Sequence, residues 1–402
     1  MRISYPLDFL GDIIKHSLQS INFYHFAFMG IFFNFFGYYL KEEMGLFDQQ
    51  IGSILMIIPL THIFVTFSLG YFTNKFNLEE RILKILTFMS FFLSLSYLFT
   101  KDVFSDSFLG LVVITIGFSI FRNPILPLVD STTLNYVMKK GGDYGRIRLW
   151  GSIGFVFGTL IVGFLLLFKE LFPIETILIV ISFFLFLSFL SSLKIPVKVG
   201  PKKNIHFREV LKSLKSKVLI LFLLTSFLHI LGMAAYHSFF GLYVLADYEP
   251  YHVGLFTIPS ILSEAVLLHY SSSILKRYSP YHLLSIAFLA TIFRWLSLYF
   301  FHDIIPIVLS QTIHALSWGL FFVTSISFID YHFKDRLRTS GITLFSTLVF
   351  GLGNALGYYL AGTISQKYSY NDLFLYCSFL ALLTFSISLY LSLTEDVNFR
   401  LK

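Results

Sequence analysis

The chain has few charged residues and almost no cysteine. Only 13% of its 402 residues are Asp, Glu, Lys or Arg, whereas soluble domains carry roughly 25%. The one cysteine, Cys377, excludes a disulfide or a cysteine-based metal site within the chain. The sequence also lacks a GxxxxGK[ST] loop and any polar stretch long enough for an ATP-binding domain. We therefore expect no cofactor, no metal and no enzymatic activity.

Apolar stretches make up most of the chain. Hydrophobic residues account for 56% of the sequence, and many runs exceed the roughly 20 residues that a helix needs to cross a bilayer. Spanning helices satisfy their backbone hydrogen bonds internally. The sequence thus predicts an all-α polytopic membrane protein with twelve transmembrane helices, at residues 20–40, 49–71, 81–100, 107–137, 146–168, 174–193, 217–245, 252–275, 281–301, 305–332, 339–365 and 371–393.

One polar connection, residues 194–216, is longer than the others and strongly basic. It divides the predicted helices into six and six. We expect an N-terminal six-helix half at residues 1–193, a cytoplasmic central loop at 194–216 and a C-terminal half at 217–402. The first 19 residues lack a compact apolar core and a small-residue cleavage site, so we interpret them as a retained cytoplasmic tail.

Basic residues lie mostly on one side of this topology. With both termini inside, the outer loops hold only Lys41, Lys101, Lys169 and Lys367 of the 30 Lys and Arg residues, apart from those within the helices. That split obeys the positive-inside rule. The net charge of +7 then reflects insertion and attraction to anionic lipid rather than nucleic-acid binding. We expect an integral protein of the inner or plasma membrane with both termini in the cytoplasm.

Reporter fusions test this topology. A reporter fused after Lys101 should lie outside the cell, and one fused after Lys203 should lie in the cytoplasm. Reporters on the same side of the membrane would contradict the twelve-helix prediction.

Two oppositely charged residues flank a short connection in the N-terminal half. Asp130 lies within the end of the fourth predicted helix, and Arg148 lies at the start of the fifth. A charged side chain inside the bilayer is costly and is retained only where it has a partner or a function, so we treat such residues as candidate functional-site residues. If the connection is a tight turn, the two side chains lie at similar depth. They form either a purely structural ion pair or part of a site that binds or gates a substrate.

Four more ionisable residues lie inside predicted spans. Glu264, Arg294 and His314 fall near mid-membrane on three consecutive helices, given a rise of about 1.5 Å per residue. We expect one shared polar chamber. Glu264 either has a raised pKa and loads a proton near neutral pH, if no cation lies beside it, or is held ionised by Arg294. Arg122 either lines the same cavity as Asp130 or pairs with it. We interpret the remaining intramembrane histidines as structural: His62, His229, His237 and His269.

Two halves of six helices joined by a basic loop resemble the major facilitator superfamily. The segment GYFTNKF from Gly70 weakly resembles the signature loop of that superfamily. NPILPLVD and DYGRIRLWGSIGF are similar to the branch that holds lactose permease and the 3-phenylpropionate permease. That resemblance implies that Asp130 and Arg148 bind substrate, with Phe155 stacking on it. It also implies coupling or gating roles for Glu264, Arg294 and His314, although Ser317 and Gln311 replace a family glutamate and lysine.

These features predict a secondary active transporter, a proton-coupled symporter of a small organic solute that functions as a monomer. Three arginines against two carboxylates favour an aromatic carboxylate such as 3-phenylpropionate, with Arg122, Arg148, Asp130 and Phe155 as substrate-binding residues. The alternative is a sugar or nucleoside symporter resembling lactose permease. More remote alternatives are a membrane-embedded enzyme that acts on lipid and a transport-like sensor.

Overall fold

The computed structural model describes residues 7–75, 81–100, 107–195, 216–333 and 337–394. Residues 196–215 of the predicted central loop and Phe76 of the GYFTNKF segment lie outside these ranges. Within them the chain is helical and contains no strand. The helices are α1 (Leu7–Glu42), α2 (Asp48–Lys75), α3 (Ile82–Ser96), α4 (Ser107–Arg122), α5 (Ile125–Lys140), α6 (Tyr144–Leu165), α7 (Thr176–Ser192), α8 (Lys217–Asp247), α9 (Tyr251–Arg277), α10 (Pro280–Phe300), α11 (Ile304–Thr312), α12 (Phe321–His332), α13 (Arg338–Phe345), α14 (Asn354–Lys367) and α15 (Tyr370–Thr394).

Ten spans in the described residues are long and apolar enough to cross a membrane, and α7 is a shorter apolar helix. Together with α1 they occupy the twelve predicted positions, so the predicted all-α membrane fold is confirmed. Helix α1 is longer than predicted, since it begins at Leu7 rather than near residue 20. Asp12, Lys15 and His16 are exposed while Ser17 and Leu18 are buried. The polar N-terminal segment therefore continues the helix with one buried face.

Three spans are broken within their length. Pro124, which has no N–H to donate and crowds the preceding turn, separates α4 from α5. A π-helical turn, Ala315–Leu320, lies between α11 and α12, and a second, Ser346–Gly353, joins α13 to α14. Such turns occur frequently at functional sites.

Two compact units divide the chain. Unit 1 comprises Met1–Leu46, Leu60–Lys202 and Val244–Gly254. Unit 2 comprises Phe47–Pro59, Lys203–Tyr243 and Leu255–Lys402. The predicted division at residues 194–216 stays a prediction.

Close backbone approach between α1 and α6 organises unit 1. A Cβ placed at Gly154 would collide with the carbonyl oxygen of Phe23, and one at Gly158 would collide with that of Ala27. Small residues let membrane helices pack at short distance, where van der Waals contact replaces the hydrophobic effect. Asn34 adds a polar link, since its Nδ2 donates to the Thr159 hydroxyl at 3.4 Å.

Hydroxyl pairs join the third and sixth helices of each predicted half. In unit 1, the Ser94 and Ser182 hydroxyls lie 2.8 Å apart and link α3 to α7. In unit 2, the Ser285 and Ser388 hydroxyls lie 3.0 Å apart and link α10 to α15. Interhelical bonds of this kind stabilise membrane bundles by roughly 0.6–2 kcal/mol.

The α1–α6 contact predicts a sharp difference between two alanine substitutions. Gly154→Ala should lower the melting temperature in detergent, because overpacking a close contact costs about 1–3 kcal/mol. Gly117→Ala is the matched control, because its Cβ would meet Leu93 Cδ1 at an ordinary 3.6 Å. Equal melting temperatures for the two variants would contradict the close packing.

Candidate functional site

The structure brings Asp130 and Arg148 together in unit 1. Gly141 and Gly142 have φ values of 77° and 119°, which glycine adopts readily, and they turn the chain between α5 and α6. Asp143 then caps α6 by accepting from the Gly145 N–H at 2.7 Å. This turn places Arg148 Nε 3.5 Å from Asp130 Oδ1. The predicted proximity is confirmed, while the role in substrate binding stays a prediction.

Aromatic side chains on α6 and on α1 contact the ion pair. The Tyr144 hydroxyl donates to Asp130 Oδ1 at 3.1 Å, and the Arg148 guanidinium lies 3.9 Å from the centre of the Phe26 ring. A Cβ at Gly151 would lie 2.6 Å from Arg148 Nη1, so the glycine makes room for the guanidinium. Both charged side chains keep about 30% of their surface accessible, 29% for Arg148 and 31% for Asp130. A ligand can therefore reach both charges.

Phe155 and Arg122 are the other predicted binding residues of unit 1. Phe155 is half-buried and lies about two helical turns beyond Arg148 on the same face of α6. Arg122 ends α4, where its Nη1 donates to Asn123 Oδ1 at 3.3 Å. Asn123 Nδ2 in turn donates to the Thr61 hydroxyl at 3.1 Å. The break at Pro124 thus carries a polar network that includes Arg122.

A second acid–base pair lies in unit 2. His314 Nε2 lies 3.5 Å from Glu264 Oε2, which joins α9 to the span that contains His314. The imidazole is almost buried, while the Glu264 side chain is 29% exposed. The Tyr236 ring centre lies 5.8 Å from the imidazole and that of Trp318 lies 6.5 Å from it. Glu264 and His314 therefore lie close together, while their role in coupling or gating stays a prediction.

Arg294 is held by uncharged groups instead of by Glu264. Its side chain is fully buried, and its Nη2 donates to Gln311 Oε1 at 2.9 Å. Its Nη1 lies 3.4 Å from the Ser317 hydroxyl, and its guanidinium carbon lies 4.0 Å from the Tyr236 ring centre. Among the described residues, it makes no ion pair with Glu264. Arg294 is therefore enclosed by unit 2 and cannot contact a solute in this conformation.

From the sequence, Gln311 is identified only as the replacement of a family lysine, and its role as a hydrogen-bond acceptor is missed. Its Oε1 accepts from the Tyr236 hydroxyl at 2.8 Å and from the Ser260 hydroxyl at 3.1 Å, in addition to Arg294. An uncharged amide gives no insertion signal of its own. Its position three residues before His314 places the two on one helical face, and that spacing could have identified it.

The π-helical turn exposes a further acceptor beside His314. The Ser317 carbonyl accepts from His229 Nε2 at 3.0 Å. The His229 ring packs against Phe288 and Phe321, with ring centres 5.0 and 4.4 Å away. His229 therefore has a structural contact, in line with the structural interpretation from sequence.

Similarity to known proteins follows the same architecture. A family model described as the MFS_1 like family matches residues 16–376. The chain is 24% identical over 393 residues to the transporter YwbF of Bacillus subtilis, with 96% of this chain and 95% of the relative covered. It is 25% identical over 355 residues to a maltose permease of Geobacillus stearothermophilus, covering 88% of each. It is 24% identical over 283 residues to the probable 3-phenylpropionic acid transporter of Escherichia coli, covering 68% and 71%.

A solved structure shares the fold as well. The nucleoside transporter NupG superposes with a TM-score of 0.81 at 16% identity, covering 95% of this chain and all of that one. The chain belongs to the MFS_1 like family of the major facilitator superfamily. It is an integral membrane transporter of the permease type and not an enzyme.

The hydrogen bonds that Gln311 accepts from Arg294, Tyr236 and Ser260 lead to a stability prediction. Gln311→Leu should lower the melting temperature strongly, because leaving a buried charged donor without its acceptor costs about 1–3 kcal/mol or more. Gln49→Leu is the matched control, because Gln49 is exposed and its side-chain bond to the Tyr359 hydroxyl is long at 3.4 Å. Equal melting temperatures of the two variants in detergent would contradict the role of Gln311 as the acceptor for Arg294.

Proposed function

We propose that the chain is a proton-coupled symporter of a small neutral solute rich in hydroxyl groups, a nucleoside or a sugar. The observation that carries this proposal is the ion pair of Asp130 and Arg148, whose side chains keep 31% and 29% of their surface accessible. A hydroxyl both donates and accepts hydrogen bonds, so one hydroxyl can bind the carboxylate while its neighbour binds the guanidinium. Phe155, on the same face of α6, offers a flat apolar surface for a sugar ring or a base.

The enclosure of Arg294 supports a neutral solute over an anion. The sequence-based preference for a carboxylate counted three arginines against two acids. With Arg294 fully buried, that count no longer holds, because one of the three arginines cannot contact a solute in this conformation. An anion approaching Arg148 would also meet Asp130, and juxtaposed like charges oppose binding by several kcal/mol. A neutral hydroxylated solute meets no such repulsion.

An aromatic carboxylate is the second candidate. Similarity to the probable 3-phenylpropionic acid transporter supports it, and Arg122 supplies a further cation in unit 1. An arginine fork matches the two oxygens of a carboxylate. This candidate requires that protonation of Glu264 or His314 accompany binding, so that the proton offsets the negative charge of the solute.

We assign the proton to Glu264 and His314. Histidine is the side chain whose ordinary pKa lies in the physiological range, and a carboxylate 3.5 Å away can share its proton. Ser317 occupies the position of the family's proton-carrying glutamate, and a serine hydroxyl does not titrate near neutral pH. The pair therefore replaces that glutamate as the titratable group.

Competition in proteoliposomes tests the solute class. Uptake of radiolabelled uridine or maltose is measured with excess unlabelled uridine, maltose, 3-phenylpropionate or the uncharged amide of 3-phenylpropionate. We expect strong inhibition by a nucleoside or a sugar, and equally weak inhibition by the aryl acid and its amide. Uptake of labelled 3-phenylpropionate, inhibited far better by the acid than by the amide, would establish the carboxylate instead. Absence of uptake for every labelled solute would contradict both candidates.

Proton coupling has its own test. The double variant Glu264→Gln, His314→Asn should lose accumulation driven by a pH gradient and still exchange bound solute across the membrane. The matched control is Glu249→Gln, His252→Asn, a second Glu–His combination in which His252 lies 3.2 Å from the Glu249 carbonyl. Gradient-driven accumulation that persists in the first variant would exclude Glu264 and His314 as proton carriers.

A further inference from the structure

A groove on unit 1 lies between the first part of α1 and the start of α6. Its volume is about 260 Å³, and it is lined by His16, Gln19, Ser20, Phe23, Tyr24 and Trp150. Polar side chains therefore form the end nearer the N-terminus of α1, and aromatic rings form the other end. No part of the transport site described above lines this groove.

Helix α6 presents the groove on the face opposite to Arg148. Each residue of an α-helix turns by about 100°, so Arg146 and Trp150 both lie about 200° from Arg148, within about 40° of each other. Ile153 and Phe157 continue the same face. Trp150, Ile153 and Phe157 are 42%, 45% and 44% exposed. An exposed apolar stripe on a membrane-spanning helix contacts acyl chains.

A continuous row of rings leads away from the groove. The Phe23 ring centre lies 6.3 Å from that of Trp150 and 5.5 Å from that of Phe157. Phe157 lies 6.2 Å from Phe184, which lies 6.4 Å from Tyr24. Phe184 itself is buried, so the accessible part of the row runs from Trp150 to Phe157, whose side chains are 42% and 44% exposed. These exposed rings suit contact with a hydrocarbon chain.

Two cations flank the polar end of the groove. Lys15 precedes Gln19 by four residues and Arg146 precedes Trp150 by four, so each lies one helical turn above a lining residue. Both are exposed, and the Arg146 side chain is 88% accessible. The nearest carboxylate oxygen of Asp143 lies 3.8 Å from Arg146 Nε, which leaves the guanidinium open to a further anion.

We propose that this groove binds an anionic phospholipid of the leaflet that adjoins the N-terminal end of α6. The phosphate lies between Lys15 and Arg146, the headgroup hydroxyls meet Gln19 and Ser20, and one acyl chain follows the exposed rings from Trp150 to Phe157. Charge complementarity selects an anionic over a zwitterionic lipid. The open, apolar side of the groove faces the bilayer, so a lipid is favoured over a soluble phosphate.

Trp150 is a natural reporter for this site. The intact protein is reconstituted into vesicles that contain either dibrominated phosphatidylglycerol in phosphatidylcholine or dibrominated phosphatidylcholine in phosphatidylglycerol, at equal mole fractions of the brominated lipid. Subtracting the fluorescence of Trp150→Phe isolates Trp150 from Trp295 and Trp318. We expect Trp150 to be quenched more strongly by the brominated anionic lipid.

Charge variants identify the cations responsible. Arg146→Gln and Lys15→Gln should each reduce the preference for phosphatidylglycerol by about fivefold, the contribution of one cation near an anionic surface. Lys276→Gln is the control, a basic residue in the last turn of α9. Equal quenching by both lipids, or no effect of either groove variant, would overturn the proposal. Relief of the quenching by soluble glycerol phosphate would assign the groove to a free phosphate instead.

Discussion

The cost of placing a charge inside a bilayer governs the polar groups of this protein. Even on insertion scales, an arginine or an aspartate at mid-membrane costs about 2.5–3.5 kcal/mol. Arg294 meets that constraint by complete enclosure, with Gln311 and Ser317 as acceptors and Tyr236 against its guanidinium. Gln311 can serve because one amide oxygen accepts from three donors at once. A charge enclosed in this way does not contact a solute in this conformation.

Asp130 and Arg148 meet the same constraint differently. They neutralise each other at 3.5 Å and keep about 30% of each side chain accessible. Tyr144 and Phe26 hold them in place from the turn and from α1. The pair therefore resembles a binding group held ready rather than a sealed structural bridge. Glu264 and His314 combine a partly accessible carboxylate with an enclosed imidazole, which suits a group that takes up a proton.

Much of this arrangement follows from the sequence for identifiable reasons. Apolar length predicts the spans, and the short connection between Asp130 and Arg148 predicts their proximity. Depth places Glu264 and His314 near mid-membrane, and the family resemblance singles out His314 among the intramembrane histidines. The uncharged residues that contact these charges are harder to predict from sequence, because Gln311 carries no charge and Phe26 is one of 50 phenylalanines. The enclosure of Arg294 could not be predicted, because it depends on which face of α10 packs inward. Because of that packing, we propose a neutral solute where the sequence alone favours an anion.

The central claim is that Asp130 and Arg148 contact the solute. It is tested most directly by the affinity of purified Asp130→Asn for the best inhibitor of the competition panel, compared with Asp143→Asn. Both residues are acids near the α5–α6 turn, but Asp143 caps α6 and contacts Arg146. The account predicts a loss of about 10- to 100-fold for Asp130→Asn, since hydrogen bonds to charged groups contribute about 1.5–3 kcal/mol, and no change for Asp143→Asn. Unchanged affinity in a folded Asp130→Asn variant would contradict it.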